Sequence, residues 1–185
     1  AGLSCYDGST FVTFTTEDGL PGNSITALCE DRQGGMWFST SGGLCQYDGH
    51  QFCAVPTSQN ILADQSFGAL FEDREGHLWL ATDDGVSRQE GSTWASFTTQ
   101  DGLASNGVRT ICEDREGHLW LGTIGGLSRY DGSTFVTFTA RDGLADTTIF
   151  SVIQDRRGDL WFGIRRGGVC RYDGRGFTTF TTQDG

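Results

Sequence analysis

Carboxylates and histidines recur together in this chain, and such groups can transfer protons or bind metals. The phrase E-D-R-E-G-H-L-W-L occurs twice, at Glu72–Leu80 and at Glu113–Leu121, and two looser copies flank the pair. The chain has no H-E-x-x-H, no G-x-S-x-G and no phosphate-binding glycine loop. His77 and His118 occupy the same position of the repeated phrase, as turn residues would. We therefore predict no catalytic residue, no metal ligand set and no cofactor.

The repeated phrase belongs to a longer repeating unit. The tryptophans that align are 42, 41 and 41 residues apart; they are Trp37, Trp79, Trp120 and Trp161. A second phrase, G-L-S-R-Y-D-G, recurs at the same period, with copies that begin at Gly2, Gly43, Gly85, Gly126 and Gly168. Self-similarity at this length indicates an array of one supersecondary unit.

One unit, Ser24–Val55, has the pattern of four short strands joined by tight turns. The predicted strands are Ser24–Glu30, Gly35–Thr40, Leu44–Tyr47 and Gln51–Val55. Four antiparallel strands in about 42 residues are typical of a propeller blade. The turn spacing also fits a β-sandwich, but a sandwich gives no reason for the repetition. The fold class is therefore predicted as an all-β propeller with four full blades and an N-terminal half-blade hairpin.

The predicted boundaries make residues 1–185 a single propeller array. The outer hairpin covers residues 2–15, and the blades cover approximately residues 24–55, 66–98, 107–139 and 148–181. A longer connection, Pro56–Gln65, joins the first blade to the second.

Residues that recur among the copies are interpreted as structural. We expect the four tryptophans to be wedges between blades, each burying on the order of 200 Å². The tyrosines before the Asp-Gly turns are expected to pack against the next blade with the hydroxyl at the rim; they are Tyr6, Tyr47, Tyr130 and Tyr172. The aspartates that open the first turn should accept backbone N–H bonds; they are Asp31, Asp73, Asp114 and Asp155.

Positions that vary while their surroundings repeat are interpreted as free for function. The turn between the second and third strands varies; its copies are Ser41-Gly42, Asp83-Asp84, Ile124-Gly125 and Arg165-Arg166. The second position of the innermost strand also varies; its copies are Thr26, Gly68, Arg109 and Ser151. Both should lie near the central channel or on the face where it opens. The predicted ligand contacts are therefore Asp83, Asp84, Arg109, Arg165 and Arg166. The alternatives are neutral drift on a solvated loop, or calcium at a pair such as Asp83-Asp84.

Charge and composition exclude several partners. The formal net charge is −11, and the basic residues are spread along the repeats without forming a stripe. Nucleic acid and an anionic membrane surface are therefore unexpected partners. No run approaches the roughly 18 apolar residues of a transmembrane helix. Six cysteines are present, but Cys29 and Cys112 share one repeat position and Cys45 and Cys170 share another. Equivalent positions in non-adjacent blades lie too far apart to bridge, so free thiols are expected.

The motif at Glu113–Gly132, E-D-R-E-G-H-L-W-L-G-T-I-G-G-L-S-R-Y-D-G, closely resembles the two-component regulator propeller repeat. That repeat builds the sensor domains of bacterial hybrid two-component receptors, which are extracytoplasmic, and several of them are implicated in sensing glycan breakdown products. The resemblance implies a non-catalytic module that binds a carbohydrate, another small ligand or a protein, or serves as a scaffold. It implies a periplasmic or extracellular location if the chain is part of a receptor. The alternative is a propeller lyase or glycan hydrolase, which would need an acid or base in the channel.

The two ends of the array carry the same half of a blade. Residues 2–15 and residues 168–181 both read as third and fourth strands, which makes five outer hairpins for four inner ones. The chain is then an excised or designed piece of a larger array, a tight four-blade ring with a spare hairpin, or one part of a ring made from several chains. Bare apolar blade faces favour association. We expect a homo-oligomer, most simply a dimer of about eight blades.

Overall fold

A computed structural model describes residues 2–55, 68–166 and 168–184. Its strands are β1 (Leu3–Tyr6), β2 (Phe11–Phe14), β3 (Ile25–Glu30), β4 (Met36–Thr40), β5 (Gly43–Tyr47), β6 (Phe52–Ala54), β7 (Ala69–Glu72), β8 (Leu78–Thr82), β9 (Gly85–Glu90), β10 (Thr93–Phe97), β11 (Val108–Glu113), β12 (Leu119–Thr123), β13 (Leu127–Tyr130), β14 (Phe135–Phe138), β15 (Ile149–Gln154), β16 (Leu160–Ile164), β17 (Val169–Tyr172) and β18 (Phe177–Phe180). Two 3-10 turns, Thr16–Asp18 and Ala140–Asp142, lie in the connections. Neither is long enough to cross a membrane.

The strands form four antiparallel four-stranded sheets and one two-stranded sheet. We name the sheets blade 1 (β3–β6), blade 2 (β7–β10), blade 3 (β11–β14) and blade 4 (β15–β18), and the pair β1–β2 the N-terminal hairpin. Each blade is a meander in chain order. The predicted fold class, four blades and a half-blade hairpin, is confirmed. The predicted connection Pro56–Gln65 and the first residues of the predicted segment 66–98 lie outside the described residues.

A repeated aspartate organises the first turn of each blade. In blade 1 the Asp31 Oδ1 atom accepts the backbone N–H groups of Gln33 and Gly35, at 3.0 and 2.7 Å. Its Oδ2 atom accepts the indole N–H of Trp37 at 2.9 Å. The corresponding indole bonds are Trp79–Asp73 at 2.7 Å, Trp120–Asp114 at 2.7 Å and Trp161–Asp155 at 3.0 Å. One carboxylate thus joins the turn to the tryptophan in every blade.

The core lies between blades rather than within them. Trp79 and Trp120 are 1% and 2% exposed, because each is covered by its own blade and by the blade that follows. The Trp79 ring lies 5.7 Å from the Tyr130 ring, and Trp120 lies 5.6 Å from Tyr172. Each of these tyrosines therefore packs against the preceding blade, which corrects the expectation that it faces the next one. Strands β8 and β12 are buried along their whole length.

A second set of contacts joins successive blades through the first turns. The guanidinium of Arg115 donates to the carbonyl oxygens of Arg156 and Asp155, at 3.0 and 3.2 Å. Arg74 makes the same bonds to Arg115 and Asp114, and Arg32 donates to the carbonyl of Arg74. In return, a side chain of the following blade accepts the backbone N–H of each arginine; the pairs are Arg32–Glu72 at 2.7 Å, Arg74–Glu113 at 2.8 Å and Arg115–Gln154 at 2.9 Å.

Two blade faces remain uncovered in the described part of the chain. On blade 1 the exposed fraction of Leu28 is 57%, whereas its equivalents Leu70 and Ile111 are 7% and 8% exposed. On the opposite face of blade 4, Ile153 is 64% exposed. All six cysteines are free thiols, and burial raises the pKa of Cys45 to about 11.

Candidate functional site

The variable residues of the repeat gather at one end of the blades. In an antiparallel meander, the start of the first strand lies beside the turn that follows the second strand. The register shows this directly, because Ile25 pairs with Thr40 and Ile149 pairs with Ile164. We call this end the variable-turn face. It contains the turns Ser41-Gly42, Asp83-Asp84, Ile124-Gly125 and Arg165-Arg166, and the residues at the start of the inner strands.

Two of the predicted contact residues meet across a blade boundary. A guanidinium nitrogen of Arg109 in blade 3 lies 3.1 Å from the Asp83 carboxylate in the turn of blade 2. Both side chains keep a third to a half of their surface exposed, so the pair contributes about 0–1 kcal/mol. Arg109 is therefore oriented along the boundary rather than held rigidly. The backbone N–H of Asp84 donates to the Thr82 hydroxyl at 3.1 Å.

Arg109 projects from a β-bulge. Val108 pairs with Thr123 and Thr110 pairs with Gly122, so Arg109 is the extra residue on its strand. A bulge bends the strand and redirects the side chain, and bulges are common beside functional sites. The position therefore suits a residue that reaches out of the sheet.

The same bulge corrects the alignment of the copies. In blade 4 the shift falls between Ile149 and Ser151, so the counterpart of Arg109 is Phe150 and not Ser151. Phe150 is 56% exposed. An aromatic ring thus lies on the variable-turn face where the sequence comparison had put a serine.

Two other variable positions are restricted by packing, which corrects the idea that variation marks freedom from the fold. A methyl group added at Gly68 would lie 2.3 Å from the carbonyl oxygen of Val108 in the next blade. A methyl group at Gly42 would lie 1.9 Å from the carbonyl oxygen of Pro21. Glycine is required at both positions because another stretch of backbone passes too close for a side chain.

The turns of blades 3 and 4 are joined through Thr148. The backbone N–H of Arg165 donates to the Thr148 carbonyl at 2.9 Å, and the Thr148 hydroxyl donates to the Ile124 carbonyl at 3.3 Å. Arg165 and Arg166 are exposed, and Ile124 is 47% exposed. The turn Arg165-Arg166 is therefore joined through Thr148 to the turn that holds Ile124, and Phe150 follows Thr148 by two residues in β15. Asp83 and Asp84 lie farther along the same face, on blade 2.

The histidines lie in other turns. His118 Nδ1 is 3.2 Å from Asp114 Oδ2, which also accepts the Trp120 indole N–H at 2.7 Å. Asp114, Glu116 and His118 offer ligand atoms within 4.8 Å of one another. Burial opposes ionisation of Asp114, but the hydrogen bonds from Trp120 and His118 outweigh it and lower its pKa. This carboxylate is a structural acceptor, and we assign no metal to the group.

Sequence reasoning missed the clefts between blades at the opposite end of the strands. The cleft between blades 2 and 3 has a volume of about 230 Å³ and is lined by Trp79, Arg88 and Tyr130, among others. The Arg88 guanidinium lies 5.5 Å from the centre of the Trp79 ring, and the Arg129 guanidinium lies 5.9 Å from that of Trp120. These arginines belong to the repeated G-L-S-R-Y-D-G phrase. Their recurrence was the available signal, and it fits a packing role over tryptophan.

The sequence profile of the two component regulator propeller family matches four segments of the chain, at residues 19–42, 61–84, 102–125 and 143–166. Together these segments make up about half of the chain. The chain belongs to the two component regulator propeller family. Each match begins before the inner strand of a blade and ends in the turn after its second strand. The matches in blades 2 and 4 of this two component regulator propeller therefore end at Asp84 and Arg166, in the variable turns.

Solved structures show the same fold. The extracellular domain of BT3049 from B. thetaiotaomicron, described as a hybrid two component system, is similar with a TM-score of 0.85 and 22% identity; the match covers 100% of this chain and 26% of that one. The extracellular domain of BT4673 from the same organism gives 0.77 and 21%, covering 95% and 27%. A catalytically inactive virginiamycin B lyase from Staphylococcus aureus, solved with quinupristin, gives 0.72 and 13%, covering 94% and 59%. The chain thus spans about a quarter of the length of these two extracellular domains. No curated protein matches the sequence significantly.

Proposed function

We propose that this two component regulator propeller is a non-catalytic binding module, and that an acidic oligosaccharide binds its variable-turn face between blades 3 and 4. The observation that carries the proposal is the exposed turn Arg165-Arg166, which is joined through Thr148 to the turn that holds the exposed Ile124, with the exposed Phe150 two residues after Thr148. Guanidinium groups bind carboxylates or sulfates in bidentate fashion. An exposed aromatic ring offers a flat apolar surface to the face of a sugar ring.

The local charge matters because the whole chain is acidic. With a net charge of −11, the chain repels an anion at long range. Salt screens that repulsion beyond about 8–10 Å, so the nearby groups dominate. Arg109 already faces Asp83, which leaves Arg165 and Arg166 as the cations best placed for an anionic ligand. The acidic pair Asp83-Asp84 then limits how far the ligand extends toward blade 2.

Calorimetric titration with oligogalacturonate, and with maltohexaose as a neutral comparison, tests the proposal. The double variant R165S/R166S should weaken binding of the acidic sugar at least tenfold. The double variant R157S/R175S makes the same change in net charge at exposed positions in turns at the opposite end of blade 4, and it should bind like the parent chain. Equal binding by both double variants, or preference for the neutral sugar, would contradict the proposal.

The alternative is a propeller lyase or glycan hydrolase. Such an enzyme needs an acid or base at its substrate face. His77 and His118 lie in first turns at the other end of the blades, each 3.2 Å from an aspartate, and His50 lies in the outer turn of blade 1. Chromatography of the sugar after prolonged incubation separates the two functions, because an enzyme would release shorter or unsaturated products.

A further inference from the structure

The N-terminal hairpin occupies the place of an outer half-blade in front of blade 1. The Phe14 ring lies 5.3 Å from Phe52 and 6.0 Å from Tyr47. Inside the array, Phe97 of blade 2 meets Tyr130 and Phe135 of blade 3 at 5.7 and 5.6 Å. The hairpin is therefore seated as the third and fourth strands of a blade are seated on the blade that follows.

The inner side of this hairpin is open. Among the described strands, β1 pairs only with β2, whereas the third strands of blades 1 to 4 pair on both sides. Beside β1 lies a groove of about 370 Å³. We call it the N-terminal groove; its lining includes Leu3, Cys5, Phe14, Leu28, Met36 and Phe38. Leu28 is exposed there, while the equivalent residues of blades 2 and 3 are covered by the preceding blade.

Blade 4 presents the matching surface. Trp161 stacks on Phe180 at 5.6 Å, just as Trp120 stacks on Phe138 at 5.6 Å. Trp120 also contacts a tyrosine of the next blade, and Trp161 has no such neighbour among the described residues. Ile153, on the inner strand of the same blade, is exposed as well.

At the two open faces, one side carries an unused donor of the contact between blades and the other side carries an unused acceptor, within the described chain. Arg74 and Arg115 donate to carbonyls of the following first turn, but Arg156 makes no such bond within the described chain. Glu72 and Glu113 accept the N–H of an arginine in the preceding blade, whereas the Glu30 carboxylate accepts none there. Arg156 and Glu30 are thus the donor and the acceptor of one further blade contact.

We propose that the inner strand pair β15–β16 of a second copy docks in the N-terminal groove and forms a composite blade with the hairpin β1–β2. The register of β16 with β17 predicts that of β16 with β1, with Trp161 opposite Cys5 and Phe162 opposite Ser4. Arg156 of one copy then reaches the first turn of blade 1 in the other, next to Glu30. In the composite blade, the hairpin β1–β2 of one copy takes the place of β17–β18 of the other. The contact covers both the open face of blade 1 and the open face of β15–β16. Applied reciprocally, it closes a two-copy ring of eight blades.

Docking of a complete blade 4 on blade 1 is the competing arrangement. In that arrangement Phe180 would need the position on Tyr47 and Phe52 that Phe14 already holds. The N-terminal hairpin would have to leave. The competing arrangement therefore releases the hairpin at residues 2–15, whereas the composite blade releases the hairpin at residues 168–184.

Sedimentation velocity and hydrogen exchange on the full 185-residue chain test the proposal. We expect two-copy particles at micromolar concentration, with amides of residues 2–15 more protected and those of residues 168–184 less protected than in the dilute monomer. A monomer up to 100 µM would overturn the proposal. So would a dimer with the opposite protection pattern, or one with no change in either hairpin.

Surface variants provide the control. Leu28→Asp and Ile153→Asp change residues that are exposed in the single copy, so each should fold, as circular dichroism can verify. Each should raise the dimer dissociation constant at least 100-fold. Val136→Asp, at a 41% exposed position on the outer strand of blade 3, should leave it unchanged. Undiminished dimerisation of folded L28D would overturn the docking site.

Discussion

Replacing the same tryptophan in two blades measures what a neighbouring blade contributes. In Trp120→Phe, the Asp114 carboxylate loses a buried donor at 2.7 Å, and hydrogen bonds to charged groups contribute about 1.5–3 kcal/mol. The smaller ring also gives up on the order of 40 Å² of buried surface, about 1 kcal/mol. The sum is about 2.5–4 kcal/mol. Trp161→Phe removes the same groups, but Trp161 is only partly buried and water can replace its bond to Asp155, so about 1 kcal/mol is expected.

Urea unfolding followed by far-ultraviolet circular dichroism gives both free energies, provided that the m-values stay equal. The protein should be dilute enough to remain a single copy. Equal losses of stability in the two variants would refute the reasoning, because the face of blade 4 would then be covered in the monomer. At concentrations where the composite blade forms, the losses should converge, since Trp161 becomes as buried as Trp120.

Three further predictions concern contacts between blades. Arg74→Ala should lower the free energy of unfolding in urea by about 1–3 kcal/mol, because it removes hydrogen bonds to blade 3 and the 2.5 Å ion pair with Glu113. Arg156→Ala should change that free energy by no more than about 0.5 kcal/mol in the monomer. Hydrogen bonds lower the pKa of Asp73 and Asp114 in spite of burial. The two carboxylates therefore stabilise the fold above the unfolded pKa of about 3.9, and this stabilisation is lost as the pH falls through their folded pKa values. The urea midpoint should decline from pH 7 to pH 2.5, and it should decline less steeply for Asp114→Asn. Gly68→Ala should lower the thermal midpoint through a clash about 1–3 kcal/mol in size, while Gly176→Ala, with open space around it, should not.

The blade could be predicted from the sequence because its determinants are local. Asp31, Gly34 and Trp37 form one turn with its own hydrogen bonds, and the alternation of apolar residues marks the strands on either side. Repetition of that unit then indicates the architecture. The prediction that Tyr130 packs against the following blade was wrong, because this local pattern does not determine the direction. Alternation along a strand separates two faces but does not say which face meets the preceding blade.

The candidate site was harder to predict because it depends on contacts between copies. Gly68 looks like a free position in the sequence, yet the Val108 carbonyl of the next blade fixes it. Phe150 was missed because this position was aligned one residue too far along the chain, whereas the 41-residue spacing from Trp120 to Trp161 already places Phe150 at the position of Arg109. The contact between Asp83 and Arg109 was not predicted as a pair, although both were named as candidates. Their side chains come from different blades, and spacing along the chain does not report that distance.

The proposed ligand site and the proposed composite blade share a structural element. Arg165 and Arg166 lie at the end of β16, where the chain turns toward β17. In the composite blade, β17 gives up its place beside β16 to β1 of the other copy, so this turn must change. Thermodynamic reciprocity then requires that a ligand bound to the turn favours the single copy to the same extent that dimerisation weakens the ligand. Saturating oligogalacturonate should therefore reduce the dimer fraction in sedimentation, and R165S/R166S should remove that effect without altering dimerisation in the absence of the sugar. If the sugar binds but does not change the dimer fraction, the turn keeps its conformation in the dimer. Either the sugar then binds elsewhere on the face, or β17 stays in its own blade.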